Sequence, residues 1–532
     1  MATFDYVITI TDGTLTETLT ASPWGIIGYI PNPPDPEAVD SLTDADTITE
    51  QMNLRVMDGS VSNNLDEIRG LQALFDQARK AQTDPSLARV YITFLQTTGG
   101  AQYRSEIVNG KIEWDDQTLS PTHWKRDVQL ATLFFTRRYY WEATTAVAVP
   151  VSNGQGTDNT SGLSIFNPNP RRSAANAIAF VQATSKITDT GNGLAIFKTD
   201  DTIVVSGTLS NDGIYTVHLG NVAGEIVVHE ALVNEAAGAG VVTIIGPKTN
   251  YVEIKAADVA TVINAPVRLE LTNATGANMT MLDLHIGTSR INSIANMVFM
   301  LEAEDGTGGA ETESATCSGA LYNAISWADD NIEVEIWTYT LTAAMLAASR
   351  GAYWLAIARL ADDTVTAATK LRLNVKLSTT TIYEGPLITC EADKYMQVLG
   401  IIQLPPYLER ITAPVALTLS LRGLQDGGGA IKLDFIHLIP VDSYRHLSQV
   451  GYAIPNGDQI YIDEIYQQGG IVRGITGAST EYNIWVKRGI PLKLQNNTLQ
   501  RIYFAWNETG EIWNIDSKLT VKVYYRPRRL TL

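Results

Sequence analysis

Cysteine is nearly missing from this chain. Cys317 and Cys390 are the only two in 532 residues, which excludes a disulfide-stapled scaffold and leaves two small apolar side chains for a core. Histidine is almost as scarce, with six, and no two have the spacing of a metal-ligand set. His229-Glu230 opens like a zinc-protease helix, but Val233 stands where the second histidine belongs. No apolar run approaches the roughly 20 residues of a membrane helix. Met1–Thr20 has no charged-then-apolar leader, so the expectation is a chain made in a cytoplasm without a secretory signal. Basic residues are in deficit: 39 Lys and Arg against 57 Asp and Glu give a net charge of −18. That balance argues against wrapping nucleic acid, though not against a wall that DNA slides past. Of the C-terminal bases Lys522, Arg526, Arg528 and Arg529, the reading is that they cap an edge strand or pair with an acidic neighbour.

Catalytic signatures are missing too. There is no G-x-S-x-G elbow and no Gly-rich loop ending in Lys-Ser/Thr. Gly154–Gly156 lacks the following helix that a dinucleotide site needs. Asp200-Asp201 and Asp329-Asp330 read as solvated turns. The expectation is no enzyme, no cofactor and no metal.

What is present is alternation with period two, interrupted by one amphipathic helix. In Ser62–Gln82, Leu65, Ile68, Leu71, Leu74, Phe75 and Ala78 recur at three- and four-residue spacing. Asn64 with Glu67 reads as a capping box, and Asp84-Pro85 as the stop. A lone helix among strands needs a sheet to cover. The fold class is therefore mainly β: several β-sandwiches, the helix in an N-terminal domain, and a jelly-roll module.

The domain reading places a helix-covered sheet in residues 1–142, with strands at Phe4–Ile10, Leu15–Thr20, Thr47–Met57, Val90–Gln96, Gln102–Val108 and Gln129–Arg137. The hairpin turns at Asp12-Gly13, and Pro31–Pro36 forms an extended arm. Residues 143–290 form a β domain carrying an inserted small barrel at about 186–245. Residues 291–447 form the jelly-roll, with a short helix at Thr342–Ser349. Residues 448–532 form a last β domain.

One constellation carries chemistry. Alternation along Glu333–Tyr339 puts Glu333, Glu335, Trp337 and Tyr339 on one face, and Val334 and Ile336 on the core side. Arg372 and Asn374, with Lys376, point away from the core of their strand, as do Thr418, Ser420 and Arg422. Aromatic rings among fixed polar groups suit a sugar, so this face is a candidate glycan platform; packing on another subunit is the competing reading.

Two stretches carry a family resemblance. One runs from the helix Leu65–Ala81 through Val90–Gln96, Arg104-Ser105-Glu106 and Val108–Glu113 to Tyr140-Trp141-Glu142. The other is C-terminal: Trp485, Pro491, Asn496–Leu499, Tyr503–Trp506, and Leu519–Tyr525 with Arg526-Pro527-Arg528. Together they resemble bacteriophage distal tail proteins and the related tail tube family; between them, Asn250–Asn273 and the jelly-roll resemble the carbohydrate-binding-like accessory β modules of extended members. The resemblance implies a structural virion protein, assembled in the host cytoplasm. It implies a homo-oligomeric ring, usually a hexamer, at the tube/tip junction. Its partners would be tube, tip or baseplate hub proteins and host-surface glycans, with DNA passing through the lumen and no membrane contact. The alternatives are a decorated tail tube or other virion subunit, and a carbohydrate-active enzyme.

Overall fold

The computed structural model describes the chain except residues 1–5, 33–45, 115–127, 291–299, 342–352, 405–416, 465–470 and 509–517 and shorter stretches of one to five residues. The expected helix at Thr342–Ser349, most of the proline arm and Asp329-Asp330 lie outside the described residues. The fold is mainly β, with several sheets and, among the described residues, one α-helix. It divides into two compact units. The first comprises Met1–Val147, Ala260–Ala265 and Tyr525–Leu532; the second holds Ala148–Val259 and Pro266–Tyr524.

In the first unit an antiparallel sheet runs in the order Thr16–Thr18, Tyr6–Thr11, Val90–Gln96, Gln102–Trp114, Gln129–Arg138, Thr47–Val56, Trp24–Tyr29. The helix, Val61–Thr83, lays Ile68, Leu71, Leu74, Phe75 and Ala78 on this sheet, mainly over Gln102–Trp114. Gly110 permits the close approach: a Cβ there would sit 2.5 Å from the Phe75 ring. The N-cap is Ser60, whose Oγ accepts from the Asn63 amide at 3.1 Å. The expected cap, Asn64, lies inside the helix instead. It is buried, and its Oδ1 accepts from the Asp58 amide. The stop falls at Asp84, as its position before proline dictates.

The same unit holds a buried ion pair. Arg137 donates to Glu50 at 2.7 Å, with both side chains fully buried. Tyr29 Oη and the Asn32 amide also donate to that carboxylate. Arg137 further stacks over Trp141 and donates to the Arg138 carbonyl. A buried pair is favoured when its remaining hydrogen-bond capacity is met; here three donors meet the Glu50 carboxylate, while Arg137 Nε has no hydrogen-bond partner among the described residues. Three of the C-terminal bases, Arg526, Arg528 and Arg529, lie in this unit. Arg526 reaches Glu142 at 3.3 Å, Arg528 and Arg529 stack over Tyr140 and Tyr103, and Arg528–Arg529 pairs with Trp141–Ala143.

The second unit is one host fold with two insertions. Its first sheet runs Gly156–Asp158, Val151–Asn153, Tyr251–Ile254, Gln500–Glu508, Met281–Arg290, Ser443–Ser448, Val486–Ile490. Its second runs Leu163–Phe166, Lys518–Tyr525, Ala265–Asn273, Gln459–Asp463, Ile471–Ile475, Glu481–Tyr482. The buried Arg445–Glu464 pair ties the two together. This corrects the separate C-terminal domain at 448–532: its strands are hydrogen-bonded into the same sheets as those of the expected 143–290 domain.

The first insertion is a seven-stranded antiparallel sheet that begins at Arg171 rather than Lys186. Its order is Arg171–Ala175, Val241–Ile245, Thr202–Ser206, Gly213–Leu219, Glu225–Val228, Lys186–Asp189, Ile178–Val181. The first and last of these follow one another in the chain, separated only by Asn176 and Ala177. Six strand spacings would put them about 29 Å apart in a flat sheet, beyond the reach of so short a link. The sheet must therefore roll up, around Phe180, Ile187, Phe197, Ile203 and Ile244. Arg172, on one end strand, clamps Asp189 near the other, at 2.6 Å.

The second insertion is a two-sheet sandwich. Ala310–Glu313, Leu321–Trp327, Gly429–Pro440, Tyr353–Leu360 and Met396–Gln403 form one sheet. Val334–Leu341, Leu417–Leu424, Lys370–Leu377 and Thr380–Glu384 form the other. They enclose a shared core that includes Leu301, Trp354, Leu373, Leu421 and Leu433.

Candidate functional site

The expected glycan face lies on the second sheet of that sandwich, and the structure splits it. The ladder between Val334–Leu341 and Leu417–Leu424 pairs Glu335 with Arg422 and Trp337 with Leu421, so it shifts register across Ile336. Such a bulge adds one residue and restarts the alternation on the opposite phase. Ile336 and Trp337 therefore both turn into the core, at 6% and 1% exposure. Trp337 Nε1 donates to the Ala303 carbonyl at 2.9 Å. Tyr339, opposite the core residue Leu419, packs half-buried beside the Trp337 ring. Trp337 and Tyr339 are thus corrected from the polar face to the core face.

The other members stay together on the outer face. Arg422 donates to the Glu333 carboxylate at 3.1 Å and to its carbonyl. Arg372 pairs with Glu333 and Glu384. Lys376 pairs with Glu335 at 2.7 Å, and Ser420 Oγ bonds the same carboxylate. Burial works against the Glu335 charge, but the Lys376 and Ser420 hydrogen bonds outweigh it and hold the carboxyl below the usual range. Asn374 is buried, and its Oδ1 accepts from the Gly385 amide. Glu333, Glu335, Arg372, Asn374, Lys376, Ser420 and Arg422 are thus each engaged by a neighbour.

A different face does gather aromatic and polar groups. On the second host sheet the Arg268 guanidinium lies 4.2 Å over the Tyr524 ring and 5.5 Å from that of Tyr461. Arg268 and Glu270 are 3.4 Å apart, and Tyr461 Oη donates to Asp463. Burial and the Glu270 carboxylate push the Tyr524 hydroxyl pKa up, partly offset by Arg268. Sequence reasoning passed over this group because its members come from three strands far apart in the chain.

In the first unit, the sheet face away from the helix is the other candidate surface. Along Thr47–Val56, Thr47, Thr49, Gln51, Asn53 and Arg55 are exposed, alternating with buried or half-buried residues. Thr49 bonds Thr136, and Asn53 Oδ1 accepts from Gln51 and Thr132. Leu130 and Phe134 share this face, and Lys111 lies over the Phe134 ring.

No family model matches the chain, and no curated protein does. Among solved structures, the infectious bursal disease virus Gx strain structure aligns at 8% identity over 70% of this chain and 83% of that one, with a TM-score of 0.17. The VP2 subviral particle of the same virus aligns at 9% identity over 68% and 81%, with a TM-score of 0.14. Latent PorU from Porphyromonas gingivalis aligns at 10% over 69% and 32%, with a TM-score of 0.13. Scores of this size carry no shared fold.

Proposed function

We propose that the chain is a structural virion protein of a phage tail. Copies assemble through the first unit into a ring at the junction of tube and tip, in contact with tube, tip or baseplate hub proteins. The observation that carries this reading is the Thr49–Gln51–Asn53–Thr132–Thr136 face. A helix covers one side of the sheet, and the other carries the uncharged, hydrogen-bonded Thr49, Gln51, Asn53, Thr132 and Thr136 beside Leu130 and Phe134, with Arg55 and Lys111 as its cations. Such a face suits a water-filled channel, because it offers DNA few cations to hold it. Trp24–Tyr29, at the end of the sheet, adds exposed Ile27 and is followed by exposed Ile30, apolar surface that a neighbouring copy would cover. Mass measurement and electron microscopy of the purified chain test the proposal. A closed ring with the first unit at its lumen is expected; a monodisperse monomer at all concentrations overturns it. Labelling in assembled particles separates a tip ring from a decorated tube subunit.

A second reading, contact with host-surface glycans, is favoured by the Tyr461–Arg268–Tyr524 group rather than by Glu333, Glu335, Arg372 and Asn374. Aromatic edges beside a fixed guanidinium and carboxylate suit a sugar ring and its hydroxyls. Glycan-array binding that is lost in Tyr524→Ala and kept in Arg372→Ala supports it; the reverse pattern refutes it.

A further inference from the structure

On the rolled insertion, Gly213–Leu219 and Glu225–Val228 pair antiparallel, with Val217 opposite Val228 and Leu219 opposite Val227. The register shift leaves His218 as the bulged residue. A bulge re-aims the side chain it carries, and here it brings His218 to His229, just past the end of the partner strand. The two ring centroids are 4.5 Å apart, with planes at 62°. Both side chains are exposed. Among the described residues, neither ring nitrogen has a hydrogen-bond partner. His229 is held at its backbone, where its amide donates to the Thr216 carbonyl at 2.9 Å. Next to it, Glu230 accepts from the Thr216 amide at 2.7 Å. The His229 backbone is held while both rings lie exposed.

We propose that His218 and His229 form a bidentate site for a divalent transition metal of the copper, nickel or zinc type. An imidazole nitrogen binds such an ion at ~2.0 Å, so two nitrogens on one ion lie about 3.3 Å apart. Ring centroids 4.5 Å apart are compatible with a nitrogen separation of that size. Imidazole pairs favour these ions over magnesium or calcium, which take oxygen ligands. No group of three histidine, cysteine, aspartate or glutamate side chains is arranged to hold an ion among the described residues. The remaining coordination positions are therefore filled by water and stay open to a donor from another molecule. The site is independent of the ring and glycan readings.

The test is calorimetric titration of the full-length, untagged chain with Cu2+, Ni2+ and Zn2+ salts. One-to-one saturable binding is expected, strongest for Cu2+. His218→Gln and His229→Gln should each weaken it at least tenfold with the melting temperature unchanged, since both rings are exposed. Mg2+ should give no saturable signal at this pair. The proposal is overturned if a single substitution leaves the titration unaltered. It is equally overturned if the wild type binds no better than the double variant, including the case in which neither binds.

Discussion

Two strands that read alike in sequence behave differently in the fold. Thr47–Val56 pairs with Gln129–Arg138 without a break over its whole length, from Thr47 opposite Arg138 to Val56 opposite Gln129. Its polar residues face out, as period-two alternation requires. Val334–Leu341 carries an equally clear alternation, but its ladder slips at Ile336, and Trp337 changes side. Alternation fixes a face only within an uninterrupted ladder. A bulge is set by the partner strand and the packing behind it, neither of which is local in sequence.

The largest expected effect tests that slip directly. Trp337→Ala should cost about 3–5 kcal/mol by removing a buried indole from the sandwich core, and it also removes one of the donors to the Ala303 carbonyl, which keeps those from Asn323 and the Gly306 amide. Denaturant melting of the full chain should show the sandwich destabilised. A variant as stable as the parent would return Trp337 to the outer face.

In the first unit the comparison can be broken from the helix side. Gly110→Val drives a branched side chain into the Phe75 ring, which already fills the space where a Cβ would go. Overpacking of this kind costs about 1–3 kcal/mol. Thermal unfolding should fall accordingly, and Phe75→Ala in the same chain should recover part of the loss. Ser60→Ala is milder, at about 1 kcal/mol for a lost N-cap. Asn64→Ala should instead act through its buried bond to the Asp58 amide, so the two losses should add only partly.

Legibility follows the same rule of locality. Val90–Gln96 has the bounds read from the sequence, and Thr47–Val56 and Gln129–Arg138 differ from theirs by one residue at one end. Trp24–Tyr29 was missed because Gly25 and Gly28 dilute its apolar pattern, and a register shift between Ile26 and Gly28 exposes Ile27. The merging of residues 448–532 into the host sheets was invisible, since strands such as Tyr251–Ile254 and Gln500–Glu508 meet across about half the chain with no local mark of the pairing. At the candidate glycan face, the positions of Glu333, Glu335 and Arg372 were readable and those of Trp337 and Tyr339 were not. The Arg268 group and the His218–His229 pair needed the sheet order before they could be seen at all.

The smallest expected effect falls on the unbroken strand. Thr49 is exposed and shares one solvent-facing hydrogen bond, 3.2 Å, with Thr136. Thr49→Val keeps the shape and β-branching of the side chain and removes only the hydroxyl. No buried donor or acceptor is orphaned, so stability should stay within about 0.5 kcal/mol of the parent. The neighbouring change Leu54→Ala, on the buried face of the same strand, should cost about 2–5 kcal/mol. The ratio of the two measures how sharply alternation sorts this strand. A large loss at Thr49 would mean that its face is covered within the single chain, and would remove the surface on which the channel reading stands. A small loss at Thr49 together with a changed ring size or ring yield would instead locate that face at the contact between copies.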